Sequence, residues 1–139
     1  MKRTTLLVSW LFQIVAAAIF LQTLYFKFSA APESVYIFRT VGMEPWGRIT
    51  TGIAELFAGI LLLWPRKAWL GGLLGLIIIS GALFFHFTTL GIEVQGDGGT
   101  LFYLAITVFA SCLLVLLLRW PQAVDDIRTW RNLAGGHEK

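Results

Sequence analysis

The chain has 139 residues, of which 57% are hydrophobic and only 14% are charged, and its formal net charge is +3. This composition leaves too little polar surface to coat a soluble globule. It predicts an integral membrane protein in which residues 1–139 form a single membrane domain.

Four apolar stretches are long enough to span a bilayer, at about residues 5–26, 46–64, 68–90 and 99–119. A spanning helix needs roughly 20 residues to cross about 30 Å of hydrocarbon. The first stretch is too long for the apolar region of a signal peptide, and Pro32 follows the small residues of a cleavage site, so we expect it to be retained. The predicted fold class is therefore an all-α membrane protein built as a four-helix transmembrane bundle.

Two shorter helices are predicted outside the spans. One covers residues 32–41, with Pro32 at an early position and Gly42 past its end. The other covers residues 121–134, with acids in its first turn and apolar residues at a spacing of three. We expect both to lie at the membrane surface, and a frayed polar tail is the alternative for the second.

The positions of the basic residues predict the orientation. With the N-terminus, the turn after the second span and the C-terminal tail on one side, eight of the 11 basic residues lie there: Lys2, Arg3, Arg66, Lys67, Arg119, Arg128, Arg131 and Lys139. Short loops rich in Lys and Arg stay in the cytoplasm. This predicts a membrane protein with both termini cytoplasmic. The basic residues are scattered along membrane edges, which speaks against a nucleic-acid partner.

Glu55 is the most informative residue, because it is the only carboxylate inside the predicted spans. A charge near the middle of a bilayer costs several kcal/mol unless it is paired, neutralised or hydrated. Arg48, Thr51 and Glu55 follow one another at spacings of three and four, which places them on one helix face. His86 lies a little over one turn from the end of the third span. Glu55 and His86 are therefore the candidate catalytic residues, with a role in proton transfer.

Other polar residues in the outer half of the spans complete a predicted ligand pocket. They are Gln22, Lys27, Arg48, Thr51, Tyr103 and Thr107. The alternative is structural: Glu55 and His86 would pair with each other or with Arg48 to hold helices together. Hydroxyl groups of the fourth span would then bond to their own helix backbone.

Glycine, cysteine and histidine residues limit the helix packing, redox chemistry and metal sites that one chain could support. Gly71 and Gly75 form a GxxxG pattern, which is typical of helix packing within a bundle or of a seam between two copies. Cys112 is the only cysteine, so one chain cannot carry out a thiol–disulfide exchange. His86 and the distant His137 do not form a metal or haem site by themselves.

The order of several short motifs resembles the DoxX family over roughly residues 5–119. These motifs are Leu24-Tyr25-Phe26-Lys27-Phe28, Ala31-Pro32, Val41-Gly42-Met43-Glu44-Pro45, Gly52-Ile53-Ala54-Glu55, Leu61-Leu62, Pro65-Arg66, His86-Phe87 and the glycine-rich run from Gly91 to Gly99. The resemblance implies a compact four-helix membrane bundle with a short extra helix after the first span. The positions that carry over are Lys27, Glu55 and His86.

The resemblance also implies two classes of function. The family was named for a membrane subunit of a thiosulfate:quinone oxidoreductase, and other members resemble partners in oxidative-stress complexes or assembly factors. The first expectation is a subunit that binds a quinone or another lipid-like molecule, with no intrinsic cofactor and a partner oxidoreductase subunit that supplies the redox centre. The alternative is a non-enzymatic scaffold for a client membrane protein, and a transporter is a third option. The cysteine pairs of redox relatives have no counterpart in this chain.

Overall fold

The computed structural model describes residues 1–135. That part of the chain contains no strand, which confirms the predicted all-α class. Its helices are α1 (Arg3–Phe28), α2 (Pro32–Thr40), α3 (Trp46–Leu63), α4 (Ala68–Phe85) with a π-helical turn (His86–Leu90), α5 (Thr100–Leu118) and α6 (Trp120–Gly135). His137 and Lys139 lie outside the described residues.

Four of these helices are long and apolar enough to cross a membrane, as the sequence predicted. They are α1, α3, α4 together with the π-helical turn, and α5. The shortest has 18 residues and the longest has 26. At about 1.5 Å of rise per residue they extend over about 27 to 39 Å, which is close to or above the thickness of a hydrocarbon core.

The four long helices pack in a ring, because α1 contacts α3 and α5, and α4 contacts the same two helices. The centre of the ring is filled by buried apolar side chains, among them Phe20, Leu62, Val108 and Val115. We call the end that carries α2 and the segment 91–99 the distal end. The opposite end, with the start of α1 and with α6, is the terminal end.

Glycines on α4 allow the closest helix approaches. A Cβ on Gly71 would lie 2.5 Å from the backbone nitrogen of Leu62, and one on Gly75 would lie 2.5 Å from Cys112 Sγ. Both glycines are buried against helices of the same chain. They therefore serve packing within the ring, and a seam between two copies at Gly71 and Gly75 would need surface that α3 and α5 already cover.

A buried arginine connects the elements of the terminal end. Arg119 is only 1% exposed. Its Nε donates to Ser9 Oγ on α1 at 2.8 Å, and its Nη1 donates to the carbonyl of Pro65 and to Gln122 Oε1, each at 3.2 Å. One guanidinium group thus links α1, the α3–α4 turn and α6.

At each end of the molecule an acidic side chain accepts several hydrogen bonds. At the terminal end, Asp126 Oδ2 accepts hydrogen bonds from Lys67 Nζ and Trp69 Nε1, each at 2.9 Å, and these bonds lower the pKa of Asp126. At the distal end, the Asp97 carboxylate accepts three backbone N–H groups, from Leu101, Val94 and Gly99. Partial burial acts to raise the pKa of Asp97, but these N–H groups outweigh it and the pKa is lowered.

Candidate functional site

The distal half of the bundle contains a partly open cavity of about 450 Å³. This volume falls within the range of small-molecule sites, which are typically apolar concavities with a few polar groups. Apolar side chains form most of its wall, among them Ile37, Phe38, Val41, Ile78, Ile79, Phe85 and Leu101. The charged or ionisable residues of the wall are Lys27, Glu55 and His86.

Glu55 lies on the α3 side of this cavity and is held by α1. Its Oε2 accepts a hydrogen bond from Thr23 Oγ1 at 2.8 Å and lies 2.9 Å from Lys27 Nζ. The Lys27 and Glu55 side chains are 13% and 8% exposed. The carboxylate is therefore paired, which is the condition under which a charge is tolerated at such a depth.

The local sequence explains why these groups meet. Thr23 and Lys27 are four residues apart, so they share one face of α1. On α3, Gly52 lets α1 come close, since a Cβ there would lie 2.8 Å from a ring carbon of Phe28. The small residue next to the ion pair thus brings the two helix backbones together.

His86 contributes to the cavity from the other side, at the start of the π-helical turn. Its Nδ1 lies 2.8 Å from the carbonyl oxygen of Gly91. A carbonyl oxygen only accepts, so Nδ1 carries a proton and donates it, and this fixes the tautomer of the neutral ring. Nε2 has no hydrogen-bond partner within residues 1–135. Phe102 packs edge to face against the ring at a centroid distance of 5.6 Å.

Helix α2 covers part of the cavity with one face. Ser34, Ile37 and Phe38 line the wall at helical spacing, and Val41 does so just past the end of the helix. Charged and polar residues of α2, including Glu33, Tyr36 and Arg39, are exposed. This amphipathic pattern is why the helix lies across the bundle with its apolar side inward.

The structure places four of the predicted site residues at the cavity and four elsewhere. Glu55, His86, Lys27 and Thr51 line it. The other four do not line it: Gln22, Arg48, Tyr103 and Thr107.

Each of these four has a clear reason to lie elsewhere. Arg48 is buried, but its Nε bonds to the Glu44 carboxylate at 2.9 and 3.0 Å and its Nη1 bonds to the carbonyl of Lys27. Tyr103 is 61% exposed because α5 turns Phe102, Ala105 and Val108 inward. Thr107 lies on that same exposed side and donates to the carbonyl of Tyr103 at 2.9 Å. Gln22 is exposed on α1.

Thr23, which bonds to Glu55, is a site residue that the sequence analysis missed. It carried a signal, because a threonine four residues before Lys27 on an apolar helix must lie on the same face. The buried group of Ser9, Gln13 and Arg119 was also missed, since Arg119 was interpreted only as a marker of topology. Ser9 and Gln13 have the same spacing of four, and Gln13 Nε2 donates to Ser9 Oγ at 2.7 Å.

Within residues 1–135 no group of three or more His, Cys, Asp and Glu side chains is arranged to hold a metal ion. The polar groups that line the cavity are a paired carboxylate, an ammonium group, hydroxyl groups and an imidazole. Comparison of the chain with protein-family models, curated proteins and solved structures gave no match.

Proposed function

We propose that the chain is a DoxX-like integral protein of the bacterial inner membrane and a small subunit of a membrane oxidoreductase system. In this proposal the distal cavity binds a quinone or another small lipid-like molecule. The observation that carries it is the combination, in one 450 Å³ apolar cavity, of the Lys27–Glu55 pair and His86. Both termini are cytoplasmic, so the cavity opens toward the outer face.

The lining residues fit such a ligand. A quinone has a flat ring with two carbonyl oxygens and an apolar tail, and the wall offers Ile78, Ile79 and Phe85 for packing. Lys27 supplies N–H donors for a carbonyl oxygen, as an ammonium group has three. Conversion between quinone and quinol transfers two electrons and two protons. Glu55 and His86 can exchange the protons, and the redox centre of a partner subunit exchanges the electrons.

The proposal is tested by purifying the protein in native lipid nanodiscs and identifying the small molecules in an organic extract. Wild type should retain a quinone or related lipid in stoichiometric amount. Ala82→Trp should lose it, because Ala82 lines the cavity and the larger side chain fills it. Glu55→Gln should weaken retention, and Thr107→Val, on the exposed side of α5, is the matched control. Equal retention in Ala82→Trp, or no bound molecule in wild type, would refute the proposal.

The alternative is a non-enzymatic scaffold or assembly factor for another membrane protein. Large exposed aromatic side chains near the distal end favour it, since Tyr25 is 73% exposed and Phe87 is 71% exposed. Its test is mass spectrometry of the intact protein in the same nanodiscs. A stoichiometric protein partner that Tyr25→Ala and Phe87→Ala remove, together with an empty cavity, would support the scaffold over the oxidoreductase subunit.

A further inference from the structure

A second concavity lies at the terminal end, far from the Glu55 site. It has a volume of about 320 Å³ and runs between α6 and the beginning of α4. Its walls are Lys67, Trp69, Leu70, Asp126, Ile127 and Trp130. The walls are mainly apolar, and the Lys67–Asp126 pair neutralises the two charges that belong to it.

The α6 side of this groove is apolar and uncovered. Ile127 is 55% exposed, Trp130 is 71% exposed, and Leu133 continues the same side at 68%. The hydrogen bonds of Asp126 to Lys67 and Trp69 hold α6 beside α4 and keep the groove open between them. This apolar side therefore has a fixed position at the end of a span. Another molecule must pack against it to remove it from water.

The position of the groove indicates what covers it. The groove begins where α4 begins, at Ala68, so it lies at the depth at which a span passes from hydrocarbon to headgroups. Trp69 and Trp130 in its walls, with Trp64 and Trp120 nearby in sequence, are the residue type that prefers this level. The molecules that surround the protein at this depth are membrane lipids.

The charges around the groove favour an anionic headgroup. Lys2, Arg3, Arg66, Arg128 and Arg131 are exposed at the terminal end, and none of them forms an ion pair within residues 1–135. The only exposed acid of that end in the described part is Asp125. Arg128 and Arg131 follow Ile127 along α6 by one and four residues, so they border the groove on one side.

We infer that this groove binds a phospholipid with an anionic headgroup. An acyl chain lies against Trp69, Leu70, Ile127 and Trp130, and Arg128 and Arg131 bind the phosphate region. Lys67 does not contribute to binding of the headgroup, because its ammonium group is already paired with Asp126. The inference is independent of the ligand in the distal cavity.

The experiment uses the full-length protein in nanodiscs of phosphatidylcholine with a minority of phosphatidylglycerol. After mild detergent extraction, native mass spectrometry counts the retained lipids by class. Wild type should retain phosphatidylglycerol in preference to phosphatidylcholine. The double variant R128Q/R131Q should reduce this preference about 25-fold, since each basic residue near an anionic surface contributes about a factor of five. R39Q, an exposed arginine at the distal end, is the matched control and should retain the preference.

A second variant tests the apolar wall. Trp130→Ala removes an exposed side chain and should lower the retention of both lipids without unfolding the protein, as circular dichroism can verify. The inference would be overturned by equal retention of the two lipids in wild type, or by an unchanged preference in R128Q/R131Q. Displacement of the lipid by free glycerol phosphate, or a dimer that carries no lipid, would also overturn it.

Discussion

Lys27 Nζ lies 2.9 Å from Glu55 Oε2, and this contact joins α1 to α3 in the wall of the distal cavity. Thr23 adds a hydrogen bond to the same carboxylate oxygen. Burial of two charges costs several kcal/mol, and their mutual attraction largely offsets that cost. The pair is therefore weak as a source of stability. Its consequence is a polar point in the wall of an apolar cavity.

The first prediction concerns removal of the cation. Lys27→Met should lower the free energy of unfolding by about 2 kcal/mol, because the buried Glu55 carboxyl would be left with only Thr23 as a partner. Reversible unfolding in a mixed micelle, followed by circular dichroism, measures the change.

The double variant Lys27→Met/Glu55→Gln serves as the control. It removes both charges, so it should recover more than half of the stability lost in Lys27→Met. If Lys27→Met and the double variant are equally unstable, lost packing of the lysine stem explains the effect, and the ion pair has no role in it.

The second prediction concerns helix packing. Gly71→Ala should destabilise the protein by about 2 kcal/mol, because the added Cβ would meet the backbone of Leu62 at 2.5 Å and backbone cannot move aside cheaply. Gly81→Ala is the matched control on the same helix, where a Cβ meets nothing within 4 Å. It should be neutral or stabilising by up to about 1 kcal/mol. Similar losses in both variants would exclude a specific close approach at Gly71.

The sequence sufficed for the helices and for the positions of the polar residues along them. The spans follow from runs of apolar residues, and the axial positions of Glu55 and His86 follow from counting 1.5 Å per residue. The rotation of each helix was harder to predict. For α3, the spacing of Thr51 and Glu55 predicted the face that lines the distal cavity. Gly52 marks the side of the same helix that packs against α1.

For α5 the same reasoning predicted a face different from the one that is buried. The stripe of Tyr103 and Thr107 is polar, but a threonine hydroxyl can donate a hydrogen bond to a carbonyl of its own helix. A tyrosine is also acceptable at a membrane surface. Polarity therefore did not mark the inner face of α5. The partner of Glu55 could not be predicted either. Arg48 and Lys27 were both within reach by depth, and Glu44, four residues before Arg48, decided the outcome by pairing with it.

The third prediction concerns the buried arginine of the terminal end. Arg119→Lys should destabilise the protein by about 2 kcal/mol although the charge is kept. A single ammonium group cannot reach Ser9 on α1 and Pro65 in the turn in the geometry of the guanidinium fork. Arg66→Lys, at an exposed arginine of the same end, should change the stability by less than about 0.5 kcal/mol. Equal effects of the two substitutions would contradict a bridging role for Arg119.

The fourth prediction concerns the attachment of α6 at acid pH. Bonds from Lys67 and Trp69 lower the pKa of Asp126 below its usual 3.8. A depressed folded-state pKa contributes stability that is present above the unfolded value and is lost as the pH falls through the folded one. Release of α6 should therefore occur below pH 3.8, and it should appear as a change in Trp69 fluorescence and faster amide exchange along α6.

Asp126→Asn should produce the released state already at neutral pH, because an uncharged amide loses the ionic contact with Lys67. Asp125→Asn is the matched control, since Asp125 is the adjacent acid and is exposed. It should leave both the fluorescence of Trp69 and the amide exchange of α6 unchanged, and the acid transition should persist. A transition of the same size and midpoint in Asp126→Asn would show that another acid controls the release of α6.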